Sequence, residues 1–132
     1  MRGSSARGVG PEYLVALEVP GRRSARIVSL PLVVAALGGE RYLVSMLGEG
    51  ANWVRNVRAA VGEAALRRGR REEVHLEEVV APDHRALVPK AYLERASNAS
   101  AQVPIDKDAP LAEFRRLAPR FPVFRIVSCN PA

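Results

Sequence analysis

The chain has 132 residues, 20 of them Lys or Arg and 14 Asp or Glu, which gives a formal charge of +6. This length fits one domain, and an apolar share of 48% is enough for one hydrophobic core. A single cysteine excludes an internal disulfide, and two histidines give poor support to a metal centre, so we expect no metal. No apolar stretch reaches the ~20 residues of a membrane span, and we expect a cytoplasmic protein.

Residues 1–10 are small and polar with nothing to bury, so we expect a flexible arm there and one domain over residues 11–132. Short apolar segments bounded by turn residues predict three strands in a meander: residues 13–19, 26–36 and 41–47. The dipeptide Pro20-Gly21 suits a type II turn between the first two strands, with proline at its second position and glycine at its third.

Beyond residue 50 the apolar pattern changes from the period of a strand to that of a helix. Trp53, Val57 and Ala60 share one face of a short helix, and Asn52 is placed to cap its N-terminus. The segments EAALRR and EEVHLEEVV, on either side of Gly69, then predict a hairpin whose second strand alternates apolar and polar residues.

The last third predicts two helices and a closing strand. A helix over residues 82–95 is expected to kink or split at Pro89, with these apolar residues on one face: Leu87, Val88, Ala91 and Tyr92. Asp108 can cap a helix that begins at Pro110, and residues 122–128 form the last strand. About six short strands with short helices favour a β-rich α+β fold, an antiparallel barrel, over a doubly wound parallel sheet.

Several enzyme classes leave no motif in this sequence. It has no GxxxxGK[ST] phosphate loop, no GxGxxG after a strand, no HExxH, no GxSxG and no paired CxxC. The functions of a kinase, a Rossmann dehydrogenase, a zinc protease or an esterase therefore find no support.

Positive charge is concentrated in the first half of the chain, with 12 Lys/Arg against 5 Asp/Glu up to Arg71 and 8 against 9 beyond it. Arg22, Arg23 and Arg26 lie at a turn that enters a predicted strand, where guanidinium and free backbone N–H groups suit a phosphate. Ordinary solvated charge is the alternative explanation. A second basic patch surrounds Gly69: Arg67, Arg68, Arg70 and Arg71. No aromatic residues accompany it, so nucleic-acid binding there is the weaker hypothesis.

The segment SMLGEGANW is a second candidate for ligand binding. Gly48 and Gly50 would let the backbone approach a ligand, although any strand-to-helix loop needs such residues. Trp53 is either a ligand contact or core filling, and Tyr92 is either a proton donor or a half-buried residue with its hydroxyl in water.

The order of these segments resembles the deazaflavin-dependent nitroreductase and quinone reductase family. Its members carry a Gly-Arg-Lys/Arg-Ser-Gly turn leading into a strand with a proline, a Leu-Val-x-Ser strand end, and a Trp-x-x-Asn-Leu helix. The matching positions here are Gly21, Arg22, Arg23, Ser24, Arg26, Pro31, Ser45, Gly48, Trp53 and Asn56.

The resemblance implies a split β-barrel that binds coenzyme F-420, a deazaflavin whose tail bears a phosphodiester and carboxylates. It also implies hydride transfer from the reduced cofactor to an electron-poor acceptor, such as a quinone, an enone or a nitro compound. A homodimer is expected because related barrels often pair.

The same resemblance assigns roles to residues. Four of them would hold the cofactor phosphate: Arg22, Arg23, Ser24 and Arg26. The ring pocket would be lined by Ser45, Met46 and Gly48, and Asn56 would lie near the tail or brace the loop. Pro31 and Trp53 complete the cofactor-binding set, while Ser45 and Tyr92 are the candidates for hydrogen bonds to substrate.

Three other functions stay open at this point. The barrel could bind flavin mononucleotide, whose single phosphate is a smaller anion. The chain could instead be a basic nucleic-acid-binding module or an inactive barrel that serves as a partner subunit.

Overall fold

The computed structural model describes residues 14–24, 26–46, 48–95 and 108–129, so the predicted N-terminal arm lies outside it. The strands are β1 (Leu14–Pro20), β2 (Ile27–Val33), β3 (Ala35–Leu37), β4 (Glu40–Val44), β5 (Glu63–Arg68), β6 (Arg70–Glu78) and β7 (Val123–Ser128). The helices are α1 (Asn52–Ala59), α2 (Pro82–Arg95) and α3 (Leu111–Leu117), the last followed by a 3₁₀ turn (Ala118–Arg120). No helix in these segments is both long and apolar enough to cross a bilayer.

The seven strands form one antiparallel sheet in the order β2-β1-β5-β6-β7-β4-β3. β2 and β3 lie at opposite edges of this order, yet Val34 alone separates them along the chain. Because consecutive Cα atoms are about 3.8 Å apart, the two edges must meet at this residue. The sheet is therefore curled into a half-barrel, which confirms the predicted β-rich α+β fold.

Apolar residues form a separate cluster on each face of the sheet. The cluster inside the barrel consists of Val15, Leu17, Val19, Val34, Leu43, Trp53, Val54, Val57, Leu66, Val74, Leu76, Phe124 and Ile126. The outer cluster, beneath α2 and α3, consists of Ala35, Tyr42, Val44, Met46, Ala86, Val88, Leu93, Phe114, Leu117, Ala118, Phe121 and Val123. Along β4, Leu43 joins the inner cluster and its two neighbours join the outer one, because successive side chains of a strand point to opposite faces.

The predicted α1 is present and closes the inside of the barrel. Trp53 and Val57 are buried, and the indole ring tilts against Phe124 with ring centroids 5.7 Å apart. The predicted cap is wrong: the N-cap is Ala51, which makes no side-chain cap hydrogen bond, and Asn52 is the first helical residue. The Asn52 side chain contacts another part of the chain, described below.

The predicted strand over residues 26–36 is two strands. β2 pairs with β1 from Ile27 to Val33, and the register runs out there because Val33 already faces the first residue of β1. After Val34, the chain takes β4 as a new partner and forms β3. Seven strands are present where about six were predicted.

Two predictions around the first hairpin are also wrong. The first strands form no meander, because β2 and β4 lie near opposite edges of the sheet. The type II turn fails because Gly21 lacks the positive φ that its third position requires. Instead, β1 extends through Pro20, which faces Ile27, and the Gly21 N–H donates to the Arg26 carbonyl at 2.7 Å.

The second half follows the prediction more closely. The β5–β6 hairpin buries Val74 and Leu76 as expected. Helix α2 runs from Pro82 to Arg95 and includes Pro89, so it does not split there. α2 packs against β3 and α3, and the side of the helix that it buries there does not include Leu87. Leu87 is 38% exposed, so its predicted place on the buried face is wrong. The N-cap of α3 is Pro110, with no side-chain cap hydrogen bond, so the capping role predicted for Asp108 is wrong.

Candidate cofactor-binding site

The loop between β1 and β2 is fastened to α1 through Arg22. The Oδ1 atom of Asn56 accepts a hydrogen bond from the Arg22 backbone N–H at 3.1 Å and another from its Nη1 at 2.8 Å. A third, longer bond joins Arg22 Nη2 to Asn52 Oδ1 at 3.4 Å. Asn56 is only 5% exposed, so its amide oxygen is a buried acceptor for which the loop supplies both donors. Asn56 therefore braces the loop.

The other predicted residues of this loop face solvent. Ser24 accepts a hydrogen bond from the Arg26 backbone N–H at 3.3 Å, which stabilises the turn. The guanidinium groups of Arg23 and Arg26 are exposed and have no hydrogen-bond or ion-pair partner within the described segments. Arg23 and Arg26 are thus two cations, three residues apart in the sequence, with no counter-anion among the described residues.

Arg55 joins these cations, although sequence analysis did not select it. Arg55 is exposed and lies on α1 three residues after Asn52 and next to Asn56, the two residues that Arg22 contacts. It too has no partner within the described segments. We call Arg22, Arg23, Arg26 and Arg55 the arginine cluster. The spacing of three residues from Asn52 is the signal that could have identified Arg55.

Most other arginines of the described segments are paired with carboxylates. These are Arg41, Arg58, Arg67, Arg71, Arg115, Arg116 and Arg125. Among the described residues, no carboxylate forms an ion pair with the arginine cluster, so its charge is available to an anionic ligand. Arg68, Arg70 and Arg120 are exposed and also have no partner within the described segments. The arginine cluster differs from them in that its loop is fastened to α1 through Arg22.

The loop after β4 is held together by Ser45. Its hydroxyl donates to the Gly48 carbonyl at 2.7 Å, and its backbone N–H donates to the Pro122 carbonyl at 2.9 Å. Ser45 is 3% exposed and Met46 is 5% exposed, with Met46 packed in the outer cluster. Gly48 has a φ of 105°, which favours glycine at this bend. Both donors of Ser45 are therefore used within the protein, and its oxygen lone pairs are what remain for a ligand.

The remaining predicted residues are spread around the barrel. Trp53 is 7% exposed and belongs to the inner cluster, as a barrel plug would. Pro31 is exposed on β2, opposite Ala16, further along the strand than the arginine cluster. Tyr92 is half-buried against the outer cluster, and burial raises the pKa of its hydroxyl, which therefore keeps its proton at neutral pH.

The β5–β6 hairpin tip is less basic than its sequence suggests. Arg67 and Arg71 both bind Glu18, at 2.9 Å and 3.0 Å, and these bonds lower the pKa of that carboxyl. An open groove of about 780 Å³ lies beside the tip, lined by Arg70, Arg71, Glu72, Glu73 and Cys129. The groove carries both signs of charge. It includes Arg70 and Arg71 of the second basic patch and none of the predicted cofactor-site residues. Within the described segments, no three His, Cys, Asp or Glu residues are grouped as a metal site.

The curled barrel and its arginine-bearing loop, which Arg22 fastens to the inner helix, define the class of protein: a split-barrel protein with a candidate anion site. No protein-family model and no curated protein matches the sequence.

Solved structures share the fold. A conserved hypothetical protein from Mycobacterium tuberculosis has a TM-score of 0.65 and 16% identity over 90% of this chain and 74% of its own. A reductase dependent on reduced F-420 has a TM-score of 0.57 and 19% identity over 87% of this chain and 94% of its own. A heme binding protein from Mycobacterium smegmatis has a TM-score of 0.58 and 14% identity over 96% of this chain and 52% of its own. At these identities the likeness shows the fold alone, and that fold is the one that the sequence resemblance implied.

Proposed function

We propose that the protein is a deazaflavin-dependent oxidoreductase that transfers a hydride from reduced coenzyme F-420 to an electron-poor acceptor, such as a quinone, an enone or a nitro compound. The observation that carries the proposal is the arginine cluster, in which Arg23, Arg26 and Arg55 have no partner among the described residues. The proposal is also supported by the fold that the chain shares with a reductase dependent on reduced F-420.

The cluster fits the tail of this cofactor. A phosphodiester with several carboxylates needs several cations in one place, and guanidinium groups bind such oxyanions through paired N–H donors. Arg22 is already fixed by Asn56, so little side-chain entropy is lost when the loop receives a ligand. In this proposal Arg22, Arg23, Ser24 and Arg26 hold the phosphate, and Arg55 extends the site along α1.

The reactive end of the cofactor supplies the hydride, and the chain supplies its surroundings. We assign the wall of the ring site to Ser45, Met46 and Gly48, whose loop leads directly into α1. Because Ser45 donates both its protons internally, we assign it the bracing of this loop. Tyr92, protonated at neutral pH, is the remaining side-chain donor proposed for the acceptor.

We also propose a homodimer that pairs through β2. This edge strand is apolar yet open to solvent, with Ile27 58% and Val28 40% exposed. An exposed apolar edge strand is a common site of association between chains. Light scattering of the pure protein tests this point, and a monomer at high concentration would contradict it.

Binding is tested by titrating reduced deazaflavin into the pure protein and following the fluorescence of Trp53. We expect saturable quenching and oxidation of the deazaflavin when an acceptor is added. Each of Arg23→Met and Arg26→Met should weaken binding about tenfold, since a charge-assisted hydrogen bond contributes about 1.5 kcal/mol or more. Arg115→Met is the matched control, because it removes an exposed arginine that is already paired with Asp83.

Failure of the titration would overturn the proposal. No quenching at high micromolar cofactor, or equal weakening by the control variant, would show that the arginine cluster is not the cofactor site. Flavin mononucleotide and heme are titrated in parallel, and tighter binding of either would replace the deazaflavin as the cofactor.

A further inference from the structure

Arg85 is nearly buried and poorly paired. It lies in the first turn of α2, and its side chain is 13% exposed. Its Nε atom is buried and makes no hydrogen bond to any of the described residues. Its Nη2 atom reaches the Pro119 carbonyl at 3.4 Å and lies 3.9 Å from an oxygen of Glu49. A buried guanidinium normally needs close partners for its charge and its donors, so this arrangement is costly.

The nearby carboxylate, Glu49, binds a different arginine more closely. Arg58 Nη1 donates to Glu49 at 2.8 Å, and this bond lowers the pKa of the Glu49 carboxyl. Arg58 is also bound by Glu78 through two bonds, at 3.0 Å and 2.5 Å. Glu78 alone can therefore neutralise Arg58. Arg85 has no second carboxylate within the described segments.

Glu49 lies at an open part of the loop that Ser45 braces. Glu49 is flanked by Gly48 and Gly50, and its side chain is 51% exposed. An added Cβ would meet no atom within 4 Å at Gly50 and a single atom, the Arg120 carbonyl oxygen at 3.7 Å, at Gly48. A rotation of the half-exposed Glu49 side chain can therefore carry its carboxylate away from Arg85 Nη2 while the backbone of the loop stays in place.

We propose that Arg85 is a binding site for a ligand carboxylate and that Glu49 occupies this site when no ligand is bound. The carboxylate of the ligand takes the Nε and Nη2 donors of Arg85 as a planar pair, and Glu49 moves outwards. The charge balance holds, since one carboxylate replaces another beside Arg85. The inference does not depend on the proposed cofactor, because the site is formed by residues outside the arginine cluster.

Acetate is the probe, because it copies the head group of Glu49. The protein is titrated with sodium acetate at constant ionic strength, and the Nε–H signal of Arg85 is followed by NMR after assignment through its loss in Arg85→Lys. We expect a saturable shift of this signal. Glu49→Ala should tighten acetate binding by about fivefold or more. Because Arg85→Lys lacks the Nε–H reporter, its binding is read as the rise in melting temperature with acetate. That rise should be lost in Arg85→Lys, while its Trp53 fluorescence and its melting profile without acetate stay close to those of the natural chain.

Two control variants separate this site from general electrostatics. Glu77→Ala removes an equal charge beside Arg125, and Glu78→Ala removes the partner of Arg58 that does not touch Arg85. Neither should tighten acetate binding by more than twofold. Equal tightening by Glu77→Ala, an unmoved Nε–H signal, or a preference for inorganic phosphate over acetate would overturn the assignment. Because no deazaflavin is present, these outcomes are independent of the proposed function.

Discussion

Replacing Asn56 by alanine tests whether α1 holds the arginine-bearing loop. The buried amide oxygen of Asn56 accepts two hydrogen bonds from Arg22, at 3.1 Å and 2.8 Å. A neutral hydrogen bond contributes about 1 kcal/mol and a charged one about 1.5–3 kcal/mol, less where the donor is partly exposed as it is here. We therefore expect Asn56→Ala to lower the free energy of unfolding by about 2 kcal/mol. At roughly 4 °C per kcal/mol, the melting temperature falls by about 8 °C.

The measurement is urea unfolding followed through Trp53, whose indole is buried against Phe124. Asn52→Ala is the control on the same helix, and we expect a loss below about 0.5 kcal/mol because its bond to Arg22 is long and exposed. A double-mutant cycle of Asn56→Ala with Arg22→Met should give a coupling of about 1 kcal/mol. Additive losses would refute the reasoning, since the two side chains would then stabilise the protein independently.

Two further predictions concern the packing at Gly62 and the ion pair of Glu72. Gly62→Ala should cost about 2–3 kcal/mol, because Gly62 has a φ of 83° and the new Cβ would lie 2.6 Å from the Leu76 carbonyl oxygen. Gly69→Ala, at a φ of 79° with open space, should cost about 1 kcal/mol, and equal losses in thermal melts would contradict the steric argument. Hydrogen bonding to Arg41 lowers the pKa of the Glu72 carboxyl, so its contribution to stability is complete above about pH 4.3 and is lost as the pH falls through the lowered value. Glu72→Gln should therefore flatten the decline of the urea midpoint in acid, and parallel curves for both proteins would count against this ion pair.

The sequence by itself determined the local structure and the direction of side chains. Alternation along β6 correctly placed Val74 and Leu76 in the core, and the helical spacing of Trp53 and Val57 correctly predicted the inner helix. These predictions succeed because burial on one face requires a fixed period in the residues of that element. The closing strand was also predicted correctly, whereas the type II turn at Pro20-Gly21 was wrong.

The partners of each strand were decided by the tertiary structure. An alternation of apolar and polar residues shows which side of a strand is buried, but it does not show which strand lies beside it. The break at Val34 and the separation of β2 from β4 could therefore not be predicted from the sequence. The state of each arginine was decided in the same way. Arg41 is neutralised by Glu72 and Arg67 by Glu18, carboxylates distant along the chain, whereas Arg55 has no carboxylate partner in the part of the chain that the structure describes. Charge compensation depends on distances in space, and these exist only once the sheet has curled.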